Sequence, residues 1–377
     1  MSQYIRNQIL RMAYSAEFYK RTFHFGFDAR TSRGQMRERN CWFLKIKNND
    51  GITGTGEAAP LPGLSIESPE TVEQELESII KKINSGWLHG RSFGTLNEIN
   101  DLIDGNYSSS VITALETALL DLSNGGKKFI FDNGFARRES GIKTNGLIWI
   151  GGLDAMLQQV SIKIDDGFRT LKIKIGSLDF EKEIDILQYI KRKYFREKIE
   201  IRLDANGAFK PHDALYKLNQ LARWEIHSIE QPIMAGQHKF MSELCAQSPI
   251  PIALDEELIG VSDKEKRIEL LDTIKPQYLI LKPSLLGGFY SCQQWIELAD
   301  ERKIGWWITS ALESSLGLNA VAQFTAQYPV TMPQGLGTGQ IYSDNIESPL
   351  EIIKGELKLS TKLIWEDEHV PEDDEIL

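Results

Sequence analysis

Six charged residues close successive apolar runs between residues 171 and 288. They are Lys172 and Lys174 in "LKIKIG" (171–176), Asp204 in "LDANG" (203–207), Glu230 in "IEQP" (229–232), Asp255 in "IALDEE" (252–257) and Lys282 in "LILKPSLLGG" (279–288). A lysine at the end of a hydrophobic strand is costly to bury, so its recurrence there asks for a reason. Three carboxylates brought together repel unless their pKa values rise or a cation joins them. With no histidine or thiolate nearby, an all-oxygen donor set points to a hard cation, Mg²⁺, with Mn²⁺ able to substitute. Such a cation leaves coordination positions for a small-molecule carboxylate. A nearby divalent charge and a second ammonium both favour the neutral amine of Lys174, making it a candidate base. The competing reading makes each carboxylate a helix cap and each lysine its surface partner. Recurrence at one point of five consecutive units argues against it.

The elements that must position these groups alternate. "TNGLIWIGG", "RTLKIKIG", "IEIRLDANG", "IHSIEQP", "PIALDEE", "YLILKPS" and "GWWITSALESS" are short β-rich runs, and helical patterns such as 179–194 and 211–224 separate most of them. Strand–helix alternation predicts parallel βα units. The spacing of about 25–30 residues is close to one eighth of a ~250-residue βα barrel, whose active sites lie at the C-terminal strand ends. An eighth strand is weak and is placed at 332–339. Along 171–175 the side chains alternate, so Lys172 and Lys174 share the barrel interior while Leu171, Ile173 and Ile175 face the helices. Asn206 shares parity with Asp204.

The first part of the chain reads differently. Strands at 40–48 and 51–59 flank an "NDG" turn, and helices follow at 68–83 and 108–125. The fold class expected is α/β, a modified (β/α) TIM-type barrel with an α+β capping domain. The cap spans 1–125, with the C-terminal segment from about 350 to 377 returning to it, and the barrel spans 140–349.

A net charge of −10 argues against nucleic acid or an anionic membrane surface as partner. The N-terminus has no apolar stretch of a signal peptide, and no run is long enough to span a bilayer. Three scattered cysteines form no C-x-x-C pair and suit a reducing compartment, so the expected location is cytoplasmic. Composition says nothing about oligomeric state.

Taken together, "LKIKIG", "LDANG", "IEQP", "IALDEE" and "LILKPSLLGG" resemble the enolase superfamily in its muconate-lactonizing subgroup. That resemblance covers nearly the whole chain. It implies a capping domain on a modified barrel, with Asp204, Glu230 and Asp255 as Mg²⁺ ligands and Lys174 and Lys282 as the catalytic pair on opposite faces. Lys172, Asn206 and Glu256 would support them. The shared chemistry is proton removal beside a carboxylate. The segments 56–68, 144–152 and 309–326 are similar to the members that dehydrate a hydroxycyclohexadiene carboxylate for menaquinone synthesis. There Lys174 would take the proton and assist departure of the hydroxyl, and Lys282 would act through its charge. Ser310, Glu313, Ser314 and the loop 60–65 would line the substrate pocket. The dipeptide epimerases of the subgroup usually carry Asp-x-Asp at the eighth strand, where this chain has "QGLGTG". N-succinylamino acid racemisation on the same scaffold remains an alternative, as does dipeptide epimerisation.

Other motifs have simpler explanations. "GITGTGEAA" leads into Pro-Leu-Pro rather than a helix, so a β-hairpin fits better than a phosphate loop. "LLGG" suits a tight strand-to-helix turn. His227 has the opposite parity to Glu230 and belongs to the packing, as do Trp306 and Trp307. A Schiff-base aldolase would explain Lys282 and leave three carboxylates without a role. A non-catalytic barrel would have no need to keep all of these groups.

Overall fold

The computed structural model describes residues 14–31 and 34–365. The acidic tail beyond 365 and the first thirteen residues, on which part of the signal-peptide reading rests, lie outside them. The chain opens with a three-stranded antiparallel sheet, β1 (Tyr14–Thr31), β2 (Gly34–Asn48) and β3 (Thr53–Ala58). The "NDG" turn joins β2 to β3 as its composition dictates. The long β1 is absent from the sequence reading, because Glu17, Lys20, Arg21 and His24 interrupt its apolar alternation. Its partner β2 is buried on both faces. Trp42, Leu44 and Ile46 join the main core with the following helices, while Cys41 and Phe43 join a second cluster with Leu285, Ala311, Leu312 and Tyr342 from the barrel.

The helix Pro69–Asn84 begins as its sequence requires. Ser68 accepts the Thr71 N–H, Pro69 occupies the first turn, and Val72, Leu76, Ile79 and Ile83 form the buried stripe. The helix Ser109–Ser123 is buried almost all round and lies directly on β3. Gly54 and Gly56 permit that approach. A Cβ at either position would stand 2.0 and 1.9 Å from the carbonyl oxygens of Ala118 and Ala114. The glycines of "GITGTG" therefore serve close packing.

Beyond this layer, β4 (Ile142–Lys143) leads into seven parallel strands in consecutive order: β5 (Gly146–Ile148), β6 (Thr170–Lys174), β7 (Glu200–Asp204), β8 (Ile226–Glu230), β9 (Ile252–Leu254), β10 (Tyr278–Leu281) and β11 (Gly305–Ile308). The helices between them supply the outer layer. The eighth position is reduced to two residues. Gln334 bridges Thr144 and Gly335 bridges Thr309, with backbone hydrogen bonds on both sides, and this closes the ring. Pro333 and three nearby glycines shorten that strand.

The barrel floor is not apolar throughout. Arg202 is fully buried, 4.4 Å above the Trp307 ring, and donates to the Pro333 carbonyl at 2.8 Å. His227 stacks near Tyr278 and Trp307 in the same layer, the packing role expected of it. After the barrel, β12 (Leu350–Ile353) and β13 (Glu356–Leu359) pair with β4 in a small antiparallel sheet. This departs from the expectation that the chain returns to the cap from about residue 350. Pairing with β4 holds 350–359 at the barrel, and Trp365 packs against the cluster that contains Cys41 and Phe43 of the first sheet.

One contact between the two layers runs through a buried carboxyl group. Glu116, on the helix Ser109–Ser123, accepts the Phe289 and Tyr290 N–H groups at 2.5 and 3.1 Å, at the start of the helix Gly288–Glu301. Gly288 leaves room for it, since a Cβ there would lie 2.4 Å from the carboxyl oxygen. Burial outweighs those two N–H bonds and pushes the Glu116 carboxyl up to about 8.

Candidate active site

Every residue of the charged register arrives at the same end of the barrel. Lys174, Asp204 and Glu230 are the last residues of β6, β7 and β8, and Asp255 and Lys282 directly follow β9 and β10. In an eight-membered ring the second and sixth strands are diametrically opposed, so Lys174 and Lys282 approach one cavity from opposite sides. Leu171, Ile173 and Ile175 are buried in the core as their parity requires.

The carboxylates are interleaved with ammoniums. Lys172 Nζ bridges Glu230 Oε2 at 2.5 Å and Asp204 Oδ2 at 3.1 Å. Lys174 Nζ lies 3.1 Å from Asp204 Oδ2 and donates to Asn206 Oδ1 at 2.9 Å. Lys282 Nζ pairs with Asp255 Oδ2 at 2.5 Å. Asn206 Nδ2 donates in turn to Glu256 Oε1 at 3.0 Å, which gives both supporting residues a place in the network. Helix capping does not account for these carboxylates. Asp255 precedes a short 3₁₀ turn without capping it, and Asp204 spends only Oδ1 on a local N–H, that of Asn206.

The electrostatics follow from that interleaving. Burial disfavours the Lys172 ammonium, yet Asp204, Glu230 and Asp255 outweigh it and hold its pKa above the ordinary lysine value. Burial also works against Asp204 as an anion, but Lys172, Lys174 and Lys282 together keep it below the usual carboxylate range. Glu230 has fewer cationic neighbours. Burial pushes it up to about 7, with Lys172 pulling down and Asp204 and Asp255 adding to the rise.

Among the described residues, no three Asp, Glu, His or Cys side chains have donors gathered around one point. The ammoniums of Lys172 and Lys282 lie against the carboxylates instead. The donor set nonetheless suits a hard cation. All three groups are oxygen donors, all three act on Lys172, and Glu230 Oε1 is buried with no hydrogen-bond partner among the described residues. A buried carboxylate oxygen left unpaired is expensive, and a divalent cation would satisfy it.

The cavity above these groups is lined by Lys172, Lys174, Asp204, Asn206 and Lys282. Glu230 and Asp255 lie deeper and do not line it. One wall comes from the first layer: Met36 on β2 and Leu61, Pro62 and Leu64 of the loop expected there. Leu147 and Trp149 form a second wall, and Thr309 to Leu312 with Gly335, Gly337 and Thr338 form a third. Ser310 lines the cavity as expected. Glu313 and Ser314 do not, and this corrects the expectation for both. Glu313 accepts from Ser284 Oγ, Ser310 Oγ and the Ala311 N–H at 2.5, 2.6 and 2.8 Å, tying the turn after β11 to the turn that follows Lys282. Ser314 donates to Glu57 Oε2 at 2.5 Å and caps the helix Ser315–Thr325. Both use their polar atoms on the protein. Asn145 and Thr338, unmarked in the sequence reading, line the cavity with Oδ1 and Oγ1 unpaired among the described residues. No local pattern distinguishes an Asn or Thr at a strand end that faces a cavity from one in a turn.

Such a charged ring at the mouth of a capped βα barrel defines a class. Residues 155–363 match the enolase C-terminal domain-like family, and the chain belongs to that family. It is 45% identical over 352 residues to the o-succinylbenzoate synthase of Desulfotalea psychrophila, covering 88% of this chain and 95% of that one. It is also 25% identical over 288 residues to the L-Ala-D/L-Glu epimerase of Bacillus subtilis, covering 75% and 76%. The crystal structure of MenC from Desulfotalea psychrophila superposes with a TM-score of 0.82 at 41% identity, covering 92% of this chain and 99% of that one. A Cytophaga hutchinsonii dipeptide epimerase complexed with Mg and D-Ala-L-Val shares the fold, with a TM-score of 0.77 at 20% identity over 92% and 93% of the chains.

Proposed function

We propose that this protein is a Mg²⁺-dependent lyase that converts 2-succinyl-6-hydroxy-2,4-cyclohexadiene-1-carboxylate to o-succinylbenzoate and water, as a step of menaquinone synthesis. The observation that carries the reading is the 45% identity to an o-succinylbenzoate synthase across nearly the full length of both chains. Asp204, Glu230 and Asp255 would hold the cation. When bound, Mg²⁺ supplies positive charge beside the substrate carboxylate as the neighbouring carbon gives up its proton.

The chain's own residues account for the rest. Lys174 takes the proton from the carbon bearing the carboxylate, and the C–O bond to the ring hydroxyl breaks on the same face. Lys174 returns the proton to that hydroxyl, which leaves as water. The electron pair of the broken C–H bond completes the aromatic ring, so no redox partner is required. Lys282, across the cavity, sets its ammonium against the ring face. Asn206 orients Lys174 through its 2.9 Å hydrogen bond. The apolar wall of Leu61, Pro62, Leu64 and Leu147 covers the ring and excludes water.

A second reading, racemisation of an N-succinylamino acid or epimerisation of a dipeptide, draws on the same opposed lysines acting as two bases. The segment 334–338 offers no carboxylate for a dipeptide amine. Purified protein with Mg²⁺, assayed in parallel on the cyclohexadiene carboxylate, an N-succinylamino acid and a dipeptide, tests both. Turnover of the dipeptide without formation of o-succinylbenzoate would overturn the first reading.

We place the protein in the cytoplasm. Its three cysteines are buried and unpaired, and no helix of the described residues is long and apolar enough to cross a membrane.

A further inference from the structure

Arg39 has no direct part in the charged ring, yet it is the most heavily engaged cation where the first sheet meets the barrel. It lies on β2 with Cys41 and Phe43, on the face turned toward the barrel, and is 2% exposed. Among the described residues its guanidinium binds no carboxylate directly. Nη1 donates to the carbonyls of Ala311 and Leu312, the latter at 2.7 Å, and Nη2 donates to the carbonyl of Ala59. Ala59 opens the turn whose Leu61, Pro62 and Leu64 form one wall of the cavity. Ala311 and Leu312 belong to another wall of the cavity, which meets the first at Arg39.

The barrel-side turn needs holding. Leu312 has φ +66°, a left-handed conformation that a branched side chain adopts only when its surroundings impose it. Its carbonyl accepts from both Arg39 and Tyr342 Oη, the second at 2.6 Å, and its N–H is taken by Ser310 Oγ at 2.9 Å. Glu57 fixes the other end of the segment. It accepts the N–H groups of Ser314 and Gly317 at 2.9 and 2.8 Å, again from the first sheet to the barrel.

We propose that Arg39 is a positioning residue that clasps the 59–64 turn of the first layer to the 309–313 turn of the barrel, and so sets the separation of the two walls that grip the substrate. The proposal rests on reading this cavity as the substrate site. It predicts that loss of the fork widens the mouth without disturbing the floor, where the lysine–carboxylate ring is built from other strands. Arginine suits the role because its planar fork serves several carbonyls at once, whereas lysine offers a single point.

The test uses the full chain as wild type, Arg39→Lys, Arg39→Gln and Tyr342→Phe. Hydrogen exchange followed by mass spectrometry reports on residues 59–65 and 309–313. In Arg39→Gln both turns should exchange faster together, by about tenfold or more, while 42–46 on the same sheet keep their protection. With Mg²⁺ and the cyclohexadiene carboxylate, KM should rise about tenfold or more and kcat by contrast stay within about threefold. Mg²⁺ binding by calorimetry should be unchanged within about twofold, and Arg39→Lys should fall between. If Arg39→Gln does not fold, Tyr342→Phe carries the test. It removes one of two donors from the Leu312 carbonyl, so faster exchange should be confined to 309–313, with a KM rise of about two- to fivefold. A lowered melting temperature with both turns and KM as in wild type would overturn the proposal, as would loosening of one turn alone in Arg39→Gln. If the wild type does not turn over this substrate, the functional reading fails, and the exchange data still judge the clasp.

Discussion

Glu116→Gln isolates the buried carboxyl contact between the helix Ser109–Ser123 and the helix that follows Lys282. In the folded protein burial holds the Glu116 carboxyl at about 8, against 4.5 for an ordinary glutamate. Between those values the native state keeps a proton that the unfolded chain has released. Stability from this group is therefore fully present below about 4.5 and is lost as pH rises through about 8. The loss is up to about 1.4 kcal/mol per pH unit inside that window, or on the order of 2–3 kcal/mol from pH 6 to pH 8. The amide of the variant does not titrate. It also offers a single acceptor where the carboxyl group accepts from both Phe289 and Tyr290, which costs about 1–3 kcal/mol at low pH. Unfolding free energies of wild type and variant, measured by urea titration at half-unit pH steps, give the difference curve. Asp121, on the same helix and pushed up to about 6 by burial, and Glu230 contribute equally to both proteins and cancel in that difference. By pH 6 the wild type has already lost about 2 kcal/mol relative to low pH, so it should stand about level with the variant there and fall behind it by about 1–3 kcal/mol at pH 8. Parallel curves across this range would refute the argument, because they would mean that Glu116 is ionised in the native state throughout.

Three further outcomes are expected. Lys174→Ala should lower kcat by about 10²–10⁴-fold with Mg²⁺ affinity retained, as measured by steady-state kinetics and calorimetry, and a near-normal rate would remove it from proton transfer. Asp255→Asn should weaken Mg²⁺ binding by about tenfold or more, read by calorimetry on the protein without substrate, whereas unchanged affinity would exclude it as a ligand. Gly317→Ala should cost about 1–3 kcal/mol in thermal or urea unfolding, because its Cβ would stand 2.6 Å from the Glu313 Cβ and 2.8 Å from Glu57 Oε2.

Particular residues show what could be read locally and what could not. The positions of Lys172, Lys174, Asp204, Glu230, Asp255 and Lys282 followed from strand parity and from the place each occupies in its βα unit, both local properties. The Pro69–Asn84 helix was equally plain, since its cap, its proline and its apolar stripe sit within one short stretch. By contrast, β1 was hidden by its charged residues, and what makes it a strand is pairing with β2 and packing on the helix Pro69–Asn84. Glu313 and Ser314 read as pocket residues through the resemblance of segment 309–326, yet Ser284 and Glu57, both remote in the chain, claim their polar atoms. The eighth barrel position could not be delimited, because backbone pairing with Lys143, Thr144 and Ile308, rather than its own composition, makes Gln334 and Gly335 a strand.

The sequence alone determined which chemical groups this protein presents and on which end of each barrel strand they fall, because side-chain alternation is fixed residue by residue along the backbone. Tertiary structure decided which lysine meets which carboxylate, how far each pKa moves, and which turns are locked together by Arg39. Those outcomes depend on distance and burial between segments far apart in the chain, and chain closure into a ring is what sets both.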